Sequence, residues 1–269
     1  MLTVTLTPKP FSGSVGRAQR LALDSLRALG PDVEIVMAGP GADTEAEAHR
    51  VGAHWVPDLQ AGEEGLPLLP ELLRAGRRRV SGAGAIMYAN ADIAFTPELI
   101  RAIAGVTLPS FVLTGRRFEV PKEAVLGERS PRLGELVGLA RLHPAGDFGV
   151  DYFVFPRSVA LEDRMPPLVV GRPGWDNWLI GWAREAGVPS IDASSVVTAM
   201  HLDSSPPVWD WSQPGSEANR SLAAAHLHLG LLDTTHAYQH GRVRPRRSPS
   251  DFLRRLQVRF RASPPRALC

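Results

Sequence analysis

Three short stretches carry side chains whose types and spacing suit chemistry. In GAIMYANADIAF, residues 84–95, an apolar run is interrupted by Asn90, Ala91 and Asp92 before Ile93, Ala94 and Phe95 resume it. Such a run bounded by glycine reads as a buried strand. A carboxylate at its end is costly unless it is paired or binds a metal. A hard divalent cation on Asp92, bridging to a diphosphate, would satisfy it; the alternative is a turn or helix-cap aspartate, because Thr96-Pro97-Glu98 follows as a helix start. In GRPGWDNWLIGW, residues 171–182, two glycines and a proline lead into a helix opened by Trp175, Asp176, Asn177 and Trp178. The helix dipole favours a negative charge at Asp176. Trp175 and Trp178 offer flat faces of the kind sugars stack on, and a carboxylate beside them suits general-base work on a hydroxyl. The alternative is a helix cap and two core tryptophans.

His201 and Asp203 close the apolar stretch SVVTAMHLD. A neutral imidazole can ligate a metal; a strand-end histidine is otherwise structural, and its value depends on meeting Asp92. Arg116 and Arg117 end SFVLTG and suit phosphate or carboxylate recognition, although a solvated pair is an equal reading in so arginine-rich a chain. Lys9, between Pro8 and Pro10, lies where a rigid loop would touch a nucleotide.

These groups need a scaffold. MLTVTLTPKP reads as a first strand, RAQRLALDSLRALG as a helix ended by Gly30, residues 32–39 as a second strand, GADTEAEAHRVG as a helix, AHWVPDL as a third strand and LPLLPELLRAGRRR as a helix entered through Pro70. Strands and helices alternate up to residue 95, which implies an α/β fold with a mostly parallel sheet flanked by helices. Ligands bind such sheets at the carboxyl ends of the strands, where Asn90 and Asp92 fall. The second half is less regular: SFVLTGRRFEV and DYFVFPRSV read as strands, WDNWLIGWAREAG as a helix, and residues 203–217, dominated by Ser, Pro, Trp and Gln, as a loop. The chain contains no phosphate loop, no G-x-G-x-x-G after the first strand, no G-x-S-x-G and no H-E-x-x-H, so kinase, dinucleotide oxidoreductase, serine hydrolase and zincin readings lose support. The single cysteine, Cys269, excludes a disulfide scaffold and a cysteine zinc site.

In combination these motifs resemble the GT-A fold of nucleotide-sugar glycosyltransferases over roughly residues 1–235. YANADI is similar to that superfamily's Asp-x-Asp motif, with Asn90 in place of the first aspartate. GWDNWL is similar to the acidic, tryptophan-containing motif that opens the acceptor-side helix of many inverting members. MHLD lies where the fold often supplies a late metal-binding histidine. LTGRRFEV, DYFVFPRS and WSQPGSEAN also resemble a bacterial group of GT-A-like proteins. The resemblance implies that Asp92 and His201 coordinate Mn²⁺ or Mg²⁺ as a Lewis acid at the leaving diphosphate. It implies that Asn90 contacts the donor's ribose or sugar, that Arg116 or Arg117 contacts diphosphate or acceptor, and that Asp176 deprotonates the acceptor hydroxyl in an inverting reaction, with Asp151 as a reserve carboxylate. The resemblance further implies a nucleotide-diphosphate sugar donor of UDP or GDP type and a hydroxyl-bearing acceptor, with a glycan or a lipid-linked molecule as candidates. Asn90 removes one charge beside the metal, which leaves open a site without metal in which arginines hold the diphosphate.

The expected organisation is one GT-A-like domain over residues 1–241, with a nucleotide-binding half (1–95) and an acceptor half (96–241), followed by a basic tail (242–269). That tail holds nine Arg and one Asp, a net of +8 in a chain of net +2, so the body is mildly acidic at −6. Within DFLRRLQVRFRA, Leu253, Leu256 and Phe260 share a helical face flanked by arginines, which suits an anionic membrane surface; a disordered or self-docked tail is the alternative. With basic charge confined to the tail, no nucleic acid is expected. The N-terminus lacks the pattern of a signal peptide. The expectation is a cytoplasmic protein with peripheral contact at the inner membrane face. Two other readings stay open: a nucleotidyltransferase, to which TPKPFSGSVGRAQR is a loose match, and a non-catalytic sugar- or partner-binding relative, which Asn90 would favour.

Overall fold

Apolar runs long enough to be buried on both faces alternate with amphipathic stretches, and the chain folds accordingly. The computed structural model describes residues 1–62, 65–79, 84–127, 131–203 and 213–246. Its elements begin β1 (Leu2–Leu6), α1 (Gly13–Arg27), β2 (Val33–Ala38), α2 (Ala42–Val51), β3 (His54–Val56), α3 (Leu69–Arg77), β4 (Ala85–Ala89), β5 (Ile93–Ala94) and α4 (Glu98–Ala104). They continue β6 (Val112–Thr114), β7 (Arg117–Glu119), α5 (Lys122–Leu126), α6 (Leu133–Ala140), β8 (Tyr152–Pro156), α7 (Trp175–Glu185), β9 (Ser190–Asp192), β10 (Ala199–His201), α8 (Ser216–Leu222), β11 (His236–Gln239) and β12 (Arg242–Pro245). The class is α/β, with a nine-stranded sheet of order β12-β11-β9-β6-β8-β4-β1-β2-β3 and a three-stranded sheet of order β5-β10-β7. In the large sheet β1, β2, β3 and β4 run parallel, as do β6, β9 and β11. β8 is inserted antiparallel between β4 and β6.

Alternation along the strands builds a core on each face. Leu2, Val4 and Leu6 of β1, Met87 of β4 and Val154 of β8 pack on one side. Ile86, Tyr88, Phe153 and Phe155 pack on the other, against α3 and α7. With both faces covered, the central strands are apolar throughout. A third cluster, including Ala94, Val120, Leu136 and Met200, lies under the small sheet.

Helix α3 lies close on the sheet at Gly76, where a Cβ would stand 2.3 Å from Thr5 Cγ2. Glycine inside a helix costs about 1 kcal/mol against alanine, yet this approach requires it. Gly76→Ala is expected to destabilise by about 1–3 kcal/mol, the usual penalty of overpacking, as a lowered urea midpoint.

Two sequence expectations are corrected. SFVLTGRRFEV forms two strands in different sheets, β6 and β7. The chain turns at Gly115, which passes so near Tyr152 that a Cβ would lie 2.6 Å from its hydroxyl. The body does not end at 241: β12 pairs antiparallel with β11, through His240 (φ 50) and Gly241 (φ +73), the paired positive φ values of a tight hairpin. The proposed tail helix and residues 204–212 of the proposed loop lie outside the described residues. No described helix is long and apolar enough to cross a membrane.

Candidate active site

The carboxyl ends of β1 and β4 open into a cleft of about 510 Å³. Because β8 runs against β4, its start lies beside the finish of β4, and the Asn90 N–H donates to the Asp151 carbonyl at 3.0 Å. The small sheet adds His201, in register with Glu119 of β7 and with Ile93, the residue after Asp92. The cleft is lined by Lys9, Asn90, Asp92, Arg117, Asp151, Trp175, Asp176, His201 and Asp203, among others. A second cavity of about 650 Å³ lies at the opposite strand ends, lined largely by apolar groups such as Leu29, Ile103 and Phe111, and holds none of these residues.

One hydrogen-bonded chain runs through the cleft. The Tyr88 hydroxyl donates to Asn90 Oδ1 at 2.7 Å, and Asn90 Nδ2 donates to Asp151 Oδ1 at 2.7 Å. Arg117 Nη1 donates to Asp151 Oδ2 at 2.9 Å and its Nε to Glu119 Oε1 at 2.7 Å. Glu119 Oε2 lies 2.7 Å from His201 Nδ1, and His201 Nε2 lies 3.6 Å from Asp92 Oδ2. Asp92 Oδ1 is buried and has no hydrogen-bond partner among the described residues.

The electrostatics follow from these partners. Burial works to lower the His201 imidazole, but Asp92 and Glu119 overcome it and raise it to about 10. Burial likewise opposes ionisation of Glu119, and His201 with Arg117 holds it well below the usual carboxylate range. Burial raises the Asp151 carboxyl, and Arg117 pulls it back. With Arg117 on one oxygen and the Asn90 amide on the other, the geometry serves the carboxylate form. Asp176 is raised to about 7, by burial first and by Asp151 in addition, against backbone N–H groups of the first turn of α7.

Seven of the residues singled out in the sequence as directly binding or reacting meet in this cleft: Lys9, Asn90, Asp92, Arg117, Asp151, Asp176 and His201. Trp175 lines it as well, but it is as buried as Trp178 and belongs to the same core cluster, its ring packed edge-on to Tyr88 at 4.8 Å and Phe153 at 5.8 Å, so it offers the cleft no open stacking face. Trp178 does not line it: it is buried in the core and stacks on Trp182 at 6.2 Å, because α7 is packed on both sides. Arg116 is not among the residues lining the cleft; its backbone N–H donates to Ser194 Oγ at 2.7 Å. Lys9 lies 3.4 Å from Asp203, and its backbone is fixed by buried Gln19, which accepts from the Lys9 N–H at 2.7 Å and donates to its carbonyl at 2.9 Å. Tyr88, Gln19 and Glu119 were not marked by the sequence. The only signal for Glu119 was its spacing of two from Arg117, which puts both on one strand face.

The sequence matches no protein-family model and no curated protein. Among solved structures, the chain is similar in fold to glucosyl-3-phosphoglycerate synthase from Mycobacterium tuberculosis, at 14% identity over 83% of this chain and 81% of that one, with a TM-score of 0.48. A second structure of that enzyme, with Mg²⁺ and UDP, gives 15% identity over 83% and 79%, with a TM-score of 0.46. A more distant likeness is to residues 1–349 of S. aureus TarS, at 14% identity over 63% of this chain and 52% of that one, with a TM-score of 0.38.

Proposed function

We propose that the chain is a glycosyltransferase that moves a sugar from a nucleotide-diphosphate donor to a hydroxyl acceptor, assisted by a divalent cation. The observation that carries this reading is the meeting, in one strand-end cleft, of an unpartnered buried oxygen on Asp92, a histidine facing it, and a separate carboxyl, Asp176, raised to about 7.

The residues present fit a cation. Asp92 Oδ2 and His201 Nε2 stand 3.6 Å apart as an ion pair; with the imidazole raised to about 10, the Nε2 proton must be displaced before the two residues share a cation. Among the described residues no group of three His, Cys, Asp or Glu could hold a metal. Two protein ligands, with substrate oxygens and water completing the shell, is the usual arrangement for Mg²⁺ at phosphates. When bound, the cation supplies positive charge to the departing diphosphate. Asp176 accepts the proton of the acceptor hydroxyl, and a carboxyl near 7 is matched to that task at neutral pH. Lys9, exposed at the rim and paired with Asp203 at 3.4 Å, adds a cation for the donor, and the nearly buried Trp175 adds a small apolar contact. Asp151 has both oxygens engaged and acts by position rather than as a base.

Asn90 suits its neighbour. Its amide donates to Asp151 at 2.7 Å, and an aspartate there would set two carboxylates at that distance, where both cannot ionise. The missing charge therefore suits Asp151, the residue just before β8, which weakens the ground for a non-catalytic relative.

Calorimetric titration with UDP and GDP, each in Mn²⁺ and in EDTA, tests the reading. Binding of one nucleotide that depends on Mn²⁺ supports it, and binding of neither to folded protein overturns it. Asp92→Ala is expected to weaken nucleotide binding in Mn²⁺ by more than about tenfold, the scale of losing even an outer partner of a metal ligand. It leaves binding in EDTA unchanged. A loss of equal size in EDTA would make Asp92 structural.

A further inference from the structure

The small sheet sets three side chains in fixed relation. His201 on β10 is in register with Glu119 on β7 and with Ile93 on β5, next to Asp92. Paired residues on neighbouring strands project to the same face, so Glu119 and His201 meet as a consequence of register. With Nδ1 donating to Glu119 Oε2 at 2.7 Å, the atom left facing Asp92 is Nε2. Once a cation takes the place of the proton on Nε2, a carboxylate on the other ring nitrogen fixes the tautomer and strengthens Nε2 as a ligand. Glu119 is itself held, its other oxygen accepting from Arg117 Nε, while Arg117 Nη1 goes to Asp151.

We propose that Glu119 is the positioning residue that presents His201 Nε2 to a divalent cation, and that Arg117 holds Glu119 and Asp151 in place instead of binding the donor's phosphates. This rests on the reading of Asp92 and His201 as the cation's protein ligands. It changes the role of Arg117: two of its nitrogens already donate to carboxylates, and its side chain is only 14% exposed.

The test is Mn²⁺ titration of the full chain, alone and with UDP or GDP, read from the electron paramagnetic resonance of free Mn²⁺. Circular dichroism checks that each variant is folded. Glu119→Ala is expected to weaken Mn²⁺ binding about 10–100-fold. Glu119→Gln, whose amide oxygen still accepts from Nδ1, keeps most of the affinity. If Glu119→Ala does not fold, Glu119→Met, similar in length and with no oxygen to accept, takes its place. Wild-type affinity in the variant without an acceptor, while His201→Ala loses Mn²⁺, overturns the positioning role and leaves the cation site standing. A wild-type chain that takes up no Mn²⁺ in any arm overturns both.

Discussion

Asp176→Asn is expected to lower kcat by about 10²–10⁴-fold, the contribution of a positioned general base, while nucleotide affinity stays at the wild-type value. The asparagine is nearly isosteric, so the first turn of α7 and the packing of Trp175 survive. Two pH measurements sharpen the expectation. Wild-type kcat/KM should rise as the base ionises through about pH 7 and flatten above it. The second readout needs no substrate. The folded chain keeps the Asp176 proton up to about pH 7, whereas the unfolded chain releases it near 3.8, the ordinary value of an aspartate. Between these values the native state binds more protons, so stability falls as pH rises through that window. Asp176→Asn removes this penalty and should therefore be the more stable form above pH 7. A folded variant that loses transfer and nucleotide binding together would sink the base assignment. A stability difference that does not change with pH would mean that the carboxyl is not held proton-bound by burial.

Asp92, Asp176 and His201, which line one cleft, could be singled out in the sequence because each stands at a boundary: a carboxylate closing an apolar run, one opening a glycine-led helix, and a histidine ending a strand. Boundaries are local, and local pattern is what a sequence displays. Glu119 was hidden because its contact with His201 depends on register between β7 and β10, whose partners are 82 residues apart. Asn90 looked like a lost ligand because nothing local shows that Asp151, 61 residues on, would lie beside it. That neighbour exists only because β8 enters antiparallel, a direction that an alternating strand–helix pattern does not reveal. The two tryptophans diverge for a related reason. Residues three apart on a helix share a side, but Trp175 sits where α7 begins at the cleft, and Trp178 is one turn deeper, against Trp182. Likewise, the arginine-rich run after Gln239 concealed a hairpin, since the two residues that turn it, His240 and Gly241, carry no apolar pattern.

The same long-range network sets the second large effect. Arg117→Leu is expected to destabilise the fold by about 3–5 kcal/mol, the scale of removing one partner from a buried ion pair. The guanidinium is 14% exposed and its partner Asp151 only 9%, so little water can replace the lost bonds. It also ties the small sheet to the large one, reaching from β7 to the start of β8. Arg117→Lys should recover little, because one ammonium does not reproduce the fork that serves Glu119 and Asp151 at once. The sign with pH follows from the carboxylate left behind. Burial already raises Asp151, and without Arg117 it rises further. The variant's deficit against wild type is then greatest at high pH, where Asp151 must be charged, and narrows as pH falls and the carboxyl takes a proton. Asp151→Asn in the Arg117→Leu background removes the stranded charge and should restore much of the stability, since its side-chain oxygen still accepts from Asn90. Urea unfolding of the four proteins at two pH values measures the coupling directly. A single-variant loss under about 1 kcal/mol, the level of a surface pair, would mean that water reaches Asp151 freely and that the network holds less of the cleft's shape than its burial implies.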